Sequence, residues 1–214
     1  GADTITGSSA SDELFGGNDA DTLAGGTGAD TVQGGFGDDT IVLDDAFGND
    51  VISGGESAET AGDKVDGSAL TEDVTVTFSG AEAGTIANAT DTATFSQIEQ
   101  VETGSGNDTI TGGTGDQDVI TGAGDDVVTT TGTGSDTIST GAGDDTVTFS
   151  EGDSVDGGSG DDTFVLEDLG EVTNNTITIV GGSGGETPDD GNPLTREGDT
   201  RQRGSLADLS TLVK

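Results

Sequence analysis

The chain has 214 residues, 43 aspartates and glutamates against five lysines and arginines, and a formal net charge of −38. It contains no His, Cys, Met, Trp or Tyr, which excludes His/Cys metal sites, thiol and histidine catalysis, and disulfides. Five basic residues cannot neutralise a phosphate backbone, which argues against nucleic acid as a partner, and no apolar run approaches the length of a membrane span. With 28% hydrophobic residues, this is the profile of a disordered chain unless a repeat organises it and something neutralises the charge.

A repeat is present from the start. Aspartates recur every nine residues at Asp3, Asp12, Asp21, Asp30 and Asp39, with Ile5, Leu14, Leu23, Val32 and Ile41 two places on. Glycines crowd the stretch before each aspartate, and residues 25–30, 34–39 and 157–162 match GGxGxD in full. The nonapeptide GGxGxDxUx, with U a large aliphatic residue, is the signature of a calcium-binding parallel β-roll. Each unit reads as six turn residues and a three-residue strand with one apolar side chain inward. One such strand buries too little to be stable, and stacking builds a thin continuous core. Residues 43–66 read as continued roll with bulged turns, since Asp50 and Asp63 keep Ile52 and Val65 two places on.

Residues 67–102 lose the repeat. Alternating Val74, Val76 and Phe78, then Thr85-Ile86 and TATFSQIEQV, predict two or more strands. Phe95, Ile98 and Val101 are expected to cover the open end of the first roll, because terminal strands of a solenoid expose unpaired backbone; a binding loop is the alternative. The repeat resumes at 103–165, with Asp108, Asp118, Asp126, Asp136, Asp145, Asp153 and Asp162, four turns of the form TGxGxD, and a distorted turn before Asp118. The turn before Asp153 lacks most glycines, which makes it a doubtful ion site. Residues 166–214 read as a degenerate strand, a loop and a tail, and Thr176–Val180 as a strand. There is no initiator Met and residue 1 falls inside a repeat, so the chain reads as a piece of something longer.

Calcium takes six to eight oxygens from carboxylates, backbone carbonyls and water. Asp3, Asp12, Asp21, Asp30, Asp39, Asp50, Asp108, Asp118, Asp126, Asp136, Asp145 and Asp162 are the candidate carboxylates. The candidate carbonyls belong to Gly17, Gly26, Gly28, Gly35, Gly37, Gly104, Gly106, Gly122, Gly124, Gly132, Gly134, Gly141, Gly143, Gly158 and Gly160. Two nonapeptides make one coil, so aspartates about eighteen residues apart should stack: Asp3, Asp21 and Asp39; Asp12 and Asp30; Asp108, Asp126, Asp145 and Asp162; Asp118 and Asp136, with Asp153. Several ions are expected, each bridging two turns of a row. The preceding acids Asp38, Asp125, Asp144 and Asp161 are expected to point outward into solvent, and adjacent pairs such as Asp38-Asp39 recur too often to be a catalytic dyad.

These motifs resemble the repeats-in-toxin family of secreted bacterial proteins, over about residues 1–66 and 103–165. The resemblance implies an all-β fold, a calcium-bound parallel β-roll (a right-handed β-solenoid), in two repeat blocks (1–66 and 103–165) separated by a non-repeat β segment (67–102). It further implies type I export as an unfolded chain, calcium-triggered folding outside the cell, and ligation by Asp21, Asp30, Asp39, Asp108, Asp126, Asp136, Asp145 and Asp162 with turn carbonyls. The expected role is a non-enzymatic, calcium-binding folding module of a larger secreted or surface protein. The alternatives are a surface or matrix protein that self-associates through its roll ends or acidic faces, and a repeat domain of a secreted hydrolase, toxin or adhesin.

Overall fold

The computed structural model describes residues 1–55, 60–130, 133–150 and 152–166, and beyond these only the backbone of strands at 176–180, 187–188 and 200–202. The loop and tail readings lie outside the described residues, as does the carbonyl of Gly132.

The first block holds β1 (Thr4–Thr6), β2 (Glu13–Asn18), β3 (Thr22–Ala24), β4 (Thr31–Phe36), β5 (Thr40–Val42), β6 (Val51–Ser53) and β7 (Lys64–Asp66). The non-repeat segment supplies β8 (Thr75–Phe78), β9 (Ala83–Ala87), β10 (Thr92–Ser96) and β11 (Gln100–Glu102). The second block follows with β12 (Thr109–Thr111), β13 (Asp118–Ile120), β14 (Val127–Thr130), β15 (Thr137–Ser139), β16 (Thr146–Phe149), β17 (Ser154–Asp156) and β18 (Thr163–Leu166), and then β19 (Thr176–Val180), β20 (Thr187–Pro188) and β21 (Thr200–Gln202). Apart from β8, β9 and β10, which share one sheet, successive strands alternate between two sheets, and the described residues contain no helix. The ten-stranded sheet runs β1-β3-β5-β7-β11-β13-β15-β17-β19-β21, and the eleven-stranded sheet β2-β4-β6-β10-β9-β8-β12-β14-β16-β18-β20. This is a β-solenoid of the β-roll type.

The repeat length dictates this stacking. Thr4–Thr6 pairs in parallel with Thr22–Ala24, eighteen residues on, so the inward residue of each strand lands on its counterpart in the next coil. Leu23, Val65, Val76, Ile110, Val128 and Val147 are all buried, and the core is one aliphatic side chain per strand deep. Turns stack as tightly as strands. A Cβ at Gly124 would lie 2.1 Å from the Gly106 carbonyl oxygen, and its φ of +124° is a conformation that glycine adopts without strain.

The segment expected to cap the first roll instead joins the two rolls. On the ten-stranded sheet, β11 lies between β7 and β13, with Val101 opposite Val65 and Val119. On the other sheet β8, β9 and β10 form an antiparallel meander inserted whole between β6 and β12. Its inward residues Val76, Ile86 and Ala93 continue the core row, and the Phe78 and Phe95 rings meet edge to face at 5.5 Å. Phe95, Ile98 and Val101 are buried inside this junction. A capping role failed on topology: each edge of the insert finds a parallel neighbour of the right register.

Because each coil has a single inward aliphatic residue per strand, truncation leaves a void its neighbours cannot fill. Ile110→Ala should cost about 2–5 kcal/mol in denaturant unfolding with calcium present, whereas Thr111→Ala, one residue on and outward-facing, should stay within about 0.5 kcal/mol. Equal losses would mean that the strand interior is not the stabilising layer.

Candidate metal centre

Most turns enter their strands through one acidic position, which is buried from Asp21 onward in the first block and from Asp108 onward in the second, with Gln117 the exception in charge. The carboxylate there accepts the backbone N–H of the equivalent residue in the preceding coil. Asp21 Oδ1 accepts from Asp3 N (2.6 Å), Asp39 Oδ1 from Asp21 N (2.7 Å), and Asp63 Oδ1 from Asp39 N (2.7 Å). On the other side Asp30 accepts from Asp12 N (2.8 Å) and Asp50 from Asp30 N (2.8 Å). In the second block Asp126, Asp145 and Asp162 accept from Asp108, Asp126 and Asp145 at 2.7, 2.8 and 3.1 Å, and Asp108 accepts from Val74 N at 2.9 Å. The expected stacks of Asp3, Asp21 and Asp39, of Asp12 and Asp30, and of Asp108, Asp126, Asp145 and Asp162 are thus assembled as columns along the edges of the roll.

One expected member is misplaced. Asp118 is the first residue of β13, opposite Gln100 and Thr137. The slot is filled by Gln117, which is buried and donates its backbone N–H to Asp136 Oδ1 at 2.9 Å. Asp118 faces outward and accepts from Gln100 Nε2 at 2.8 Å, and the inward residue is Val119, not Ile120. The reason is legible afterwards. Residues 112–117 spell GGTGDQ, the six-residue turn with glutamine in its sixth place. Counting aspartates hid that turn and made it look distorted.

Three further positions hold slot residues: Asp63 and Asp153, which the repeat places in the roll without counting them among the candidate ligands, and Glu99, which it misses. Asp63 is buried and sits in the column beyond Asp39. Glu99 takes the next place, its carboxylate receiving the Asp63 N–H. Asp153 completes the column, accepting from Asp136 N at 2.9 Å and from Ser150 N at 2.7 Å, although its turn is poor in glycine.

The second oxygen of these carboxylates is what points to an ion. Oδ2 of Asp21, Asp30, Asp108, Asp126 and Asp145 is buried with no hydrogen-bond partner, as is Oε1 of Gln117. A buried polar atom left unpaired costs about 1–3 kcal/mol, more when charged. Among the described residues no three acidic side chains converge on one point, so a cation here would draw most of its oxygens from backbone. Carbonyls are at hand. Those of Gly17, Gly28, Gly35, Gly104, Gly106, Gly122, Gly124, Gly141 and Gly143 lie against the glycine of the next turn, and that of Gly134 stands a little farther from Gly152. For Gly158 and Gly160 the following turn lies outside the described residues. The residues present therefore fit a hard divalent cation held by carboxylate and carbonyl oxygen.

In three of the TGxGxD turns the threonine in place of the first glycine is buried. Thr103, Thr121 and Thr140 donate their hydroxyls to the carbonyls of Thr121, Thr140 and Gly157 at 3.0, 3.0 and 3.1 Å, a rung-by-rung tie between coils. The acids one place before the slot do face outward, but they form a second ladder with reversed polarity. Asp125 N donates to Asn107 Oδ1, Asp144 N to Asp125 Oδ1 and Asp161 N to Asp144 Oδ1, at 2.8–2.9 Å. Asp38 accepts from the Thr60 hydroxyl and from the Thr60, Ala61 and Gly62 backbone, which holds its carboxyl down to about 2.

A family model for the RTX calcium-binding nonapeptide repeat matches residues 1–32, 15–47, 42–60, 95–128, 130–155 and 152–167. The chain belongs to the RTX calcium-binding repeat family. No curated protein matches it. RTX repeats bind calcium and are typical of secreted bacterial proteins, and their β-roll is a structural module rather than a catalytic fold. No helix among the described residues is long and apolar enough to cross a membrane.

Without an ion the columns hold their charge poorly. Burial pushes the carboxyls of Asp50, Asp126 and Asp136 up to about 6, and those of Asp108, Asp145 and Asp153 upward as well, with neighbouring carboxylates adding to the shift. The folded chain then binds protons more tightly than the unfolded one, whose carboxyls titrate near the ordinary 3.8. These groups stabilise the fold fully below the unfolded value, and their contribution is lost as pH rises through about 6. In chelator, strand content followed by circular dichroism should therefore rise as pH is lowered from 7.5 to 4.5; a flat or falling signal would contradict the buried-column geometry. Asp126→Asn keeps an acceptor for the Asp108 N–H but removes a charge, so calorimetry should count fewer bound calcium ions and a higher calcium midpoint.

Proposed function

We propose that this RTX chain is a calcium-driven folding and structural module of a larger secreted protein, unfolded at submicromolar calcium and folded at the millimolar concentrations outside a cell. The observation that carries the reading is the column itself: Asp21, Asp126 and Asp145 each accept a backbone N–H of the preceding coil on Oδ1, while Oδ2 is buried with no hydrogen-bond partner. Stacked like charges oppose the compact state. A bound calcium ion supplies the positive charge that offsets this repulsion and takes up the remaining carboxylate oxygen.

The residues that would hold the ions are Asp21, Asp30, Asp39, Asp50, Asp63, Asp108, Asp126, Asp136, Asp145, Asp153 and Asp162, with Asp3 and Asp12 at the open end and turn carbonyls between. Glu99 and Gln117 supply the corresponding oxygens where the column passes the junction. Residues 1–66 and 103–165 would act as two blocks of sites spliced by 67–102. Ions that bind only the folded state shift the folding equilibrium by mass action, so the chain can leave the cell extended and fold where calcium is abundant.

The test is a calcium titration from chelator upward, read by circular dichroism, with bound ions counted by calorimetry. A cooperative gain of strand signal with several ions bound is expected. Equal strand content in chelator and in calcium at neutral pH would sink the proposal and leave a calcium-independent solenoid.

A further inference from the structure

The two sheets present very different outer faces. In a chain with 43 acidic residues, β4, β6, β8, β9, β10, β12, β14, β16 and β18 contain no charged residue at all. These nine strands are neighbours in the eleven-stranded sheet. The ten-stranded sheet has no such stretch: Lys64, Asp66, Glu102, Asp118 and Asp156 stand on its strands. The exposed large hydrophobic residues follow the same division. Phe15 (58% exposed), Phe36 (52%), Val51 (56%) and Val127 (44%) all lie on the eleven-stranded sheet.

The outward positions of the uncharged strands hold threonine, serine, alanine, valine and glutamine in register. Thr75, Thr109, Val127, Thr146 and Thr163 form one row, and Thr77, Thr111, Thr129, Thr148 and Val165 the row beside it. Small β-branched side chains standing off a sheet suit face-to-face packing at about 10 Å.

We infer that this face is an interface for a second copy of the chain. Charge selects that partner. At −38 per chain, two copies repel through every surface except one from which charge is missing, and a second copy brings the same uncharged face. An isologous pairing closes on itself, so the apolar residues of both copies are covered at once. Nine strands about 4.8 Å apart and about 12 Å across give roughly 500 Å² per copy, or about 1,000 Å² in all, the lower bound for a specific interface. The acidic turns form the rim, where added salt screens their mutual repulsion. The contact goes beyond calcium binding but requires the folded roll.

The test is sedimentation equilibrium of the whole chain in millimolar calcium, at two ionic strengths, with circular dichroism on the same samples. The expected result is a monomer–dimer equilibrium that tightens as salt rises. Val127→Lys and Thr109→Lys should each raise the dimer dissociation constant at least tenfold, while Thr137→Lys, exposed on the ten-stranded sheet, leaves it unchanged. All three variants should keep the strand signal. A folded chain that stays monomeric at every concentration overturns the inference, as does a dimer weakened equally by Thr137→Lys. Retention of the folded monomer on a neutral polysaccharide, blocked by Val127→Lys, would reassign the face to that ligand. Loss of the strand signal in calcium would overturn the calcium reading, and this one with it.

Discussion

The structure depends on one contact repeated along two edges: a buried carboxylate receiving the N–H of its counterpart one coil earlier, as Asp126 does from Asp108 and Asp145 from Asp126. This bond sets the register of each coil on the last, brings the next aliphatic residue over its predecessor, and places glycine carbonyls of adjacent turns within reach of the same carboxylate. It also concentrates negative charge in a thin molecule with almost no basic residues to answer it. Stability and charge neutralisation are therefore the same problem here, and both are settled at the turns rather than in the core.

Most of this was legible because the repeat encodes the coil directly. The eighteen-residue return, the inward aliphatic and the stacked aspartates follow from spacing alone, and the strand pairings obey them. What spacing could not show is a slot filled by another residue type. Gln117 keeps an aspartate's place, its burial and its backbone donation to the next coil without its charge, so a count of aspartates slips by one and lands on Asp118. Glu99 accepts the N–H of the preceding coil as an aspartate would, but with a longer side chain in a turn that has no consensus glycines. The glycine pair of GGTGDQ, with Val119 two places after the glutamine, was the available signal.

The junction was misjudged for a different reason. An isolated solenoid end needs covering, and Phe95, Ile98 and Val101 are the residues to do it, so a cap followed from composition. Yet the same residues fit between two rolls, and only the pairing of β11 with both β7 and β13 decides the matter. Local sequence specifies strands and their inward faces; it does not say on how many sides each strand will be paired.

That junction gives the molecule a pause point. Within either block a new coil adds to the one just made, so order can spread strand by strand from any starting place. At β6 it cannot. The next strand of the chain on that sheet, β8, lies three places away, and the gap closes only after β9 and β10 have turned back to meet residues made some forty positions earlier, as Thr94 meets Val51. From the first block the sheet can continue only through β10, the last strand of the meander, and the loop this closes adds an entropic cost that a plain nonapeptide array lacks. The insert thus makes the joining of the two blocks on this sheet a longer loop closure than any step within them, 43 residues from Val51 to Thr94 against 24 from Thr40 to Lys64.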